Sequence, residues 1–470
     1  MSITISRFLP KNLTYKPGKQ SAMLATALLG VISCVFVGFY GAADTAWGLL
    51  PILIYAGFCL WGLDILLATC LALVAAFAIL QPQPLEIGTL LGGALNNNVT
   101  IIGLIAVMGA GLGEVLRSTG VAHNIVQVVL NGVGIRSKYT AMIGIMLASM
   151  LIVFMLGTLA GALAVAGPVL IAFAAEYKIT RRATAVAFLY GGCAGLALAP
   201  FAGSNIAIMQ VADVSYLQYL TFGAGPLAIM SIIVGIPVIF YHQKRAATAN
   251  DYYSGTESET ETPDCAHVKR ATFIFISGLL LTIIYAGYTR AGITLPLLAL
   301  PLMAFVTGCA AGKSPTEVIH AFYRGAGSVI NLFLLFWMLA TLFNVIDKMG
   351  PFEHLIAGYR DDLMQLSPYS FVLFVAMIGL AGVPGASAAV VVLVDQMFGG
   401  IADQMGISTA AWIMVLIFSS KGDSYGPFPS ANMATCMGMA RYDNLRYMLL
   451  SGWTLLIPCT LMYAILLIFV

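Results

Sequence analysis

Charge is what this sequence has least of. Only 9% of its 470 residues are Asp, Glu, Lys or Arg, against about 25% in an average soluble domain, which excludes a cytosolic enzyme of the ordinary kind. Neither sign dominates: 22 Lys and Arg face 20 Asp and Glu, a formal charge of +2, with no basic stripe to hold nucleic acid. The eight cysteines, Cys34, Cys59, Cys70, Cys193, Cys265, Cys309, Cys436 and Cys459, show no CxxC or Cys/His spacing, so neither a disulfide framework nor a zinc site is expected. The histidines (His123, His242, His267, His320, His354) fall in loops or at segment ends, which argues against a histidine proton relay inside a membrane. The run Gly308-Cys309-Ala310-Ala311-Gly312-Lys313-Ser314 is one residue short of a phosphate-binding loop and follows an apolar helix in place of a strand. ATP is therefore not expected to bind, and no catalytic constellation or continuous polar pore is found, so the chain reads as neither enzyme nor channel.

What is present is apolar length. Sixty per cent of the residues are hydrophobic and the mean hydropathy is +0.94, which predicts an all-α polytopic membrane protein set in a lipid bilayer. Fifteen segments between residues 21 and 469 are apolar over roughly membrane-crossing length. Four of them, in 139–176 and 368–404, read as the arms of two re-entrant hairpins, leaving about eleven transmembrane helices. The polar stretch 242–270, with the run 256–262 of alternating Thr, Ser and Glu, reads as a mobile linker. The expected organisation is a leading part over 1–63, a first repeat over 64–241, the linker over 242–270, a connecting helix over 271–292 and a second repeat over 293–470.

The two halves match without gaps at offsets near 230. Pro200-Phe201-Ala202-Gly203-Ser204-Asn205-Ile206-Ala207 recurs as Pro427-Phe428-Pro429-Ser430-Ala431-Asn432-Met433-Ala434, and Pro84-Leu85-Glu86 as Pro315-Thr316-Glu317. Composition bias aligns Leu with Ile, but it does not align Pro, Phe, Asn and Ala at one spacing. The first twenty residues carry Arg7, Lys11, Lys16 and Lys19 and no cleavable signal pattern. Alternating the fifteen segments from a cytoplasmic N-terminus places 18 of the 22 Lys and Arg inside, as the positive-inside rule requires. This topology puts the C-terminus outside and makes the repeats inverted. Inverted repeats with helices broken at matching positions point to a binding site near the midplane, opened to either side in turn.

Hairpin, small-residue tip, then a helix broken by Pro and Asn, twice and inverted, resembles the ion transporter superfamily, with its divalent anion/sodium symporters, citrate carriers and gluconate permeases. The stretch 85–239, with Gly109-Ala110-Gly111-Leu112-Gly113-Glu114 and Gly167-Pro168, is most similar to the gluconate permeases. The resemblance implies cation-coupled secondary transport of a small organic anion, and a homodimer in a bacterial inner membrane. The tips depart from the divalent anion symporters: Leu156-Gly157-Thr158 and Pro384-Gly385-Ala386-Ser387 stand in place of Ser-Asn-Thr, so the symporters' sodium ligands do not carry over.

Charges inside apolar segments are costly unless paired or facing a cavity. Lys421 and Asp423 lie within such a segment, in Ser420-Lys421-Gly422-Asp423-Ser424. Lys421 is a candidate anchor for a carboxylate; Asp423 and Asp395 are candidate coupling sites for a proton or sodium. Structural pairing with Lys421 is the competing role for either acid. Ser204, Asn205, Ser424, Ser430 and Asn432 at the breaks, with Thr158 and Ser387 at the tips, are candidate substrate contacts, and sodium could sit near Asn205 and Asn432. Helix capping would explain the same residues. Glu114 with Arg117, and Asp347 with Lys348, read as interfacial pairs, and Asn96, Asn97 and Asn98 as caps. The leading expectation is a transporter of a sugar acid or carboxylate driven by protons or sodium, with no other cofactor. A sodium/proton antiporter and an amino-acid carrier on the same frame stand as alternatives.

Overall fold

The computed structural model describes residues 17–41, 43–61, 65–132, 137–248, 251–253, 266–289, 294–351, 365–380, 387–425 and 430–470, with 63, 354 and 358. Among the described residues the regular structure is helical throughout. Eight helices are long and apolar enough to cross a membrane, and six shorter apolar ones accompany them. The first half runs α1 (Pro17–Phe39), α2 (Leu50–Trp61), α3 (Ile65–Leu80), α4 (Pro84–Ala94), α5 (Asn98–Ser118), α6 (Val121–Gly132), α7 (Lys138–Leu156), α8 (Leu159–Glu176), α9 (Arg181–Leu198), α10 (Gly203–Val211), α11 (Tyr216–Tyr219) and α12 (Gly225–Ala247). The second runs α13 (Ala266–Thr289), α14 (Thr294–Ala310), α15 (Pro315–Ser328), α16 (Ile330–Met349), α17 (Pro368–Leu380), α18 (Ser387–Gln404), α19 (Thr409–Tyr425), α20 (Ala431–Met439) and α21 (Leu445–Leu466).

The predicted linker is shorter than its polar composition suggested. Helix α12 continues to Ala247 and α13 begins at Ala266, so both ends of 242–270 are helical; 249–250 and 254–265 lie outside the described residues. His242, read as a segment end, is buried within α12.

Two compact units divide the chain. Residues 1–90 and 341–355 form one, in which α1 and α2 pack on α3. The other, 91–340 with 356–470, holds both broken helices. Its element order repeats: α7, α8, α9, α10 and α12 correspond in turn to α17, α18, α19, α20 and α21. The contacts are reciprocal as well. Helix α7 packs on α9 as α17 does on α19, α10 packs on α18 as α20 does on α8, and α10 meets α19 as α20 meets α9. Such crossed pairs are what a pseudo-two-fold relation between repeats produces.

Local chemistry explains where these helices start and stop. Ser137 and Thr140 close a capping box at the start of α7, and Thr180 caps α9 through the Ala183 N–H. At the first hairpin tip Gly157 adopts φ +70°, where its N–H still reaches Val153 O. A Cβ there would come within 3.1 Å of the Phe201 backbone, so glycine both permits the turn and lets the tip lie against the break between α9 and α10. Helix α9 is buried along nearly its whole length. That is possible because Gly191 and Gly195, four residues apart, let its backbone approach α7: a Cβ would fall 2.1 Å from Met146 O and 2.2 Å from Met150 O.

Candidate functional site

The break between α9 and α10 leaves carbonyls with no helical partner, deep in apolar surroundings where each would be costly. Three side chains take them. The Asn205 amide donates from Nδ2 to Leu196 O (2.8 Å), Ala197 O (3.0 Å) and Ala199 O (2.8 Å). The Tyr219 hydroxyl donates to Ala197 O at 2.7 Å, and the Tyr216 hydroxyl to Leu198 O. Asn205 therefore does cap the broken helix, through its nitrogen. Its oxygen remains for other work.

That oxygen meets Lys421. Helix α19, from the second repeat, carries the lysine to α10 of the first, where Nζ donates to Asn205 Oδ1 at 2.8 Å and Ser204 Oγ at 3.0 Å. Lys421 is 2% exposed and Asn205 is fully buried. A buried ammonium thus rests on neutral oxygens whose geometry is fixed by the amide's grip on three carbonyls. The structure brings together Ser204, Asn205 and Lys421, three of the candidates named from the sequence.

The second break is chemically different. Ser430 accepts from the Met433 N–H at 3.1 Å and is the N-cap of α20, while Asn432 Nδ2 lies 3.5 Å from Ser424 Oγ, a marginal hydrogen bond. At the register that aligns Asn205 with Asn432, the counterpart of Lys421 is Ala194, so one of two related positions carries the charge. Residues 426–429 and the side chain of Asp423 lie outside what is described.

The other described candidates in the hairpins stand at a helix start or where two helices meet. Asp395 Oδ1 accepts from the Trp412 indole N–H at 2.9 Å, tying α18 to α19. Thr158 is the N-cap of α8 without a side-chain capping bond, and half-buried Ser387 begins α18. Glu114 and Arg117 pair at 2.6 Å and Asn97 caps α5 through the Val99 N–H, as anticipated. Lys348 reaches Glu86 at 3.6 Å.

Sequence reasoning missed a second buried polar cluster. Arg182 Nε donates to His242 Nδ1 at 2.6 Å, the guanidinium stacks 3.4 Å from the centre of the Tyr447 ring, and His242 Nε2 lies 3.0 Å from Ser451 Oγ. Because Nδ1 accepts, the neutral imidazole carries its proton on Nε2. This joins α9, α12 and α21. Tyr216 and Tyr219 were missed too; two tyrosines three residues apart just after a helix break were the available signal.

A family model described as "Na+/H+ antiporter family" matches residues 20–241, a span containing the whole α9–α10 break. No curated protein matches the chain. Among solved structures, the crystal structure of the Alcanivorax borkumensis YdaH transporter is similar with a TM-score of 0.56 at 16% identity, covering 86% of this chain and 98% of that one. These findings support a membrane-transporter family; the gluconate permease and divalent anion symporter resemblance gains no specific support from them. Over its first half the chain is similar to the Na+/H+ antiporter family, and over most of its length it shares the fold of the YdaH transporter.

Proposed function

We propose that the protein is a secondary active sodium/proton antiporter in which Lys421 and a sodium ion compete for one pair of oxygens. The observation that carries this reading is the Lys421 ammonium seated on Ser204 Oγ and Asn205 Oδ1, two residues of the segment 20–241 that the antiporter family model matches. Neutral hydroxyl and amide oxygens suit a hard monovalent cation as well as they suit an ammonium. While the lysine is protonated and in place, those oxygens are taken; when its proton leaves, a sodium ion can take them at no change in local charge. One proton is exchanged for one cation, and the pseudo-symmetric repeats supply the alternating access. Lysine suits this role because, unlike arginine, it can lose its proton when desolvated.

Organic-anion transport, with Lys421 neutralising a carboxylate, has less behind it, because the contacts described for the ammonium are to residues that would have to be displaced before substrate bound. A homodimer in a bacterial inner membrane belongs to the same proposal. In proteoliposomes with an imposed pH gradient, sodium should move protons with no organic solute present. Lys421→Met and Lys421→Arg should each abolish that exchange, the first lacking the proton and the second unable to release it. Unaltered exchange in Lys421→Arg, or flux that appears only when an organic acid is added, would overturn the proposal.

A further inference from the structure

A cavity of about 280 Å³ lies directly beside the break. Its inner wall includes Pro200 and Phe201, the residues between α9 and α10, and Ile206, the neighbour of Asn205. Tyr216, whose hydroxyl holds Leu198 O, lines it as well. Asp213 is the one charged group among the described lining residues, and it is exposed. Asp213 follows the end of α10, whereas Arg181 and Arg182 open α9; the cavity therefore approaches the lysine site from the end of the broken helix opposite those arginines.

From this we infer that the cavity is the vestibule through which a monovalent cation reaches Ser204 and Asn205 from that face, with Asp213 as the residue that gathers cations at its mouth. The inference rests on the antiport reading and adds a specificity-determining residue to it. The reason is electrostatic. A carboxylate at the rim of a mostly apolar pocket focuses its field into the pocket and raises the local cation concentration. The backbone at Asp213 has φ +48°, a left-handed conformation that Asp and Asn tolerate better than other side chains. Asp213→Asn therefore removes the charge and leaves the turn intact.

The test uses the full-length protein in oriented vesicles, with sodium supplied from each face in turn. Asp213→Asn should raise the sodium concentration for half-maximal exchange about threefold at low ionic strength, on the face away from Arg181, with the maximal rate unchanged. The difference should shrink in high choline chloride, which screens an exposed charge. An unchanged half-saturation on both faces at low salt overturns the inference. A second readout needs no exchange activity. A cysteine placed in the cavity wall by Gln210→Cys should react faster with a cationic thiosulfonate than with an anionic one of similar size, and Asp213→Asn should remove that preference. Equal rates with both reagents in the presence of Asp213 overturn the vestibule even where exchange is intact. A clear preference in a protein that exchanges no sodium overturns the antiport reading and upholds the vestibule.

Discussion

Lys421 shows how a single residue can be legible in sequence while its role is not. A lysine in an apolar segment is costly wherever it lies, so its importance follows from position in the chain. Partners distant in sequence follow from tertiary structure: the ammonium donates to Ser204 and Asn205, more than two hundred residues away. Asn205 was read as either a cap or a ligand; its amide nitrogen caps the break and its oxygen accepts from Lys421, because an amide offers donors on one atom and acceptor lone pairs on the other. Asn205→Ala should accordingly be severe. It takes the amide donor from three carbonyls, of which Ala197 O keeps the Tyr219 hydroxyl, and withdraws an acceptor from a buried ammonium, a loss of about 3–5 kcal/mol, measurable as a marked fall in Tm in detergent. Ser204→Ala, which removes one acceptor and no cap, should shift Tm far less while weakening sodium-driven proton flux; comparable losses of Tm in the two variants would contradict this division of labour.

At the scale of elements, the broken helix α9–α10 is held by groups from several directions: the Gly157 tip on one side, Tyr216 and Tyr219 on another, and α7 along its length. Gly191 and Gly195 allow the last of these contacts, with carbonyls of α7 where side chains would otherwise be. Gly191→Leu or Gly195→Leu should force the helices apart at a cost of about 1–3 kcal/mol or more, seen as lower Tm and lower yield of folded protein, whereas Gly132→Ala, with open space around its Cβ position, should leave both unchanged. The breaks themselves were visible from Pro, Gly and Asn at matching offsets, since a proline and glycines interrupt a helix by local geometry. The buried Arg182–His242–Ser451 cluster was not visible. Its members sit at the ends of three helices whose adjacency nothing in the local sequence encodes.

For the whole molecule, orientation and repeat symmetry decide what the site can do. The distribution of Lys and Arg predicts a cytoplasmic N-terminus and an external C-terminus, so reporter fusions at residue 250 and after Val470 should report opposite faces. Matching reports would remove the inversion on which alternating access depends. The sequence by itself determined that the chain is an all-helical membrane protein, that it repeats, and where its helices fail, because hydropathy, periodicity and helix-breaking residues act over a few turns of chain. Which oxygens receive the lysine, and that a cavity bordered by Asp213 stands beside the first break, were decided by tertiary structure alone. Those facts depend on distances between helices from different repeats, and such distances are set by how backbones pack, a property no short stretch of sequence carries.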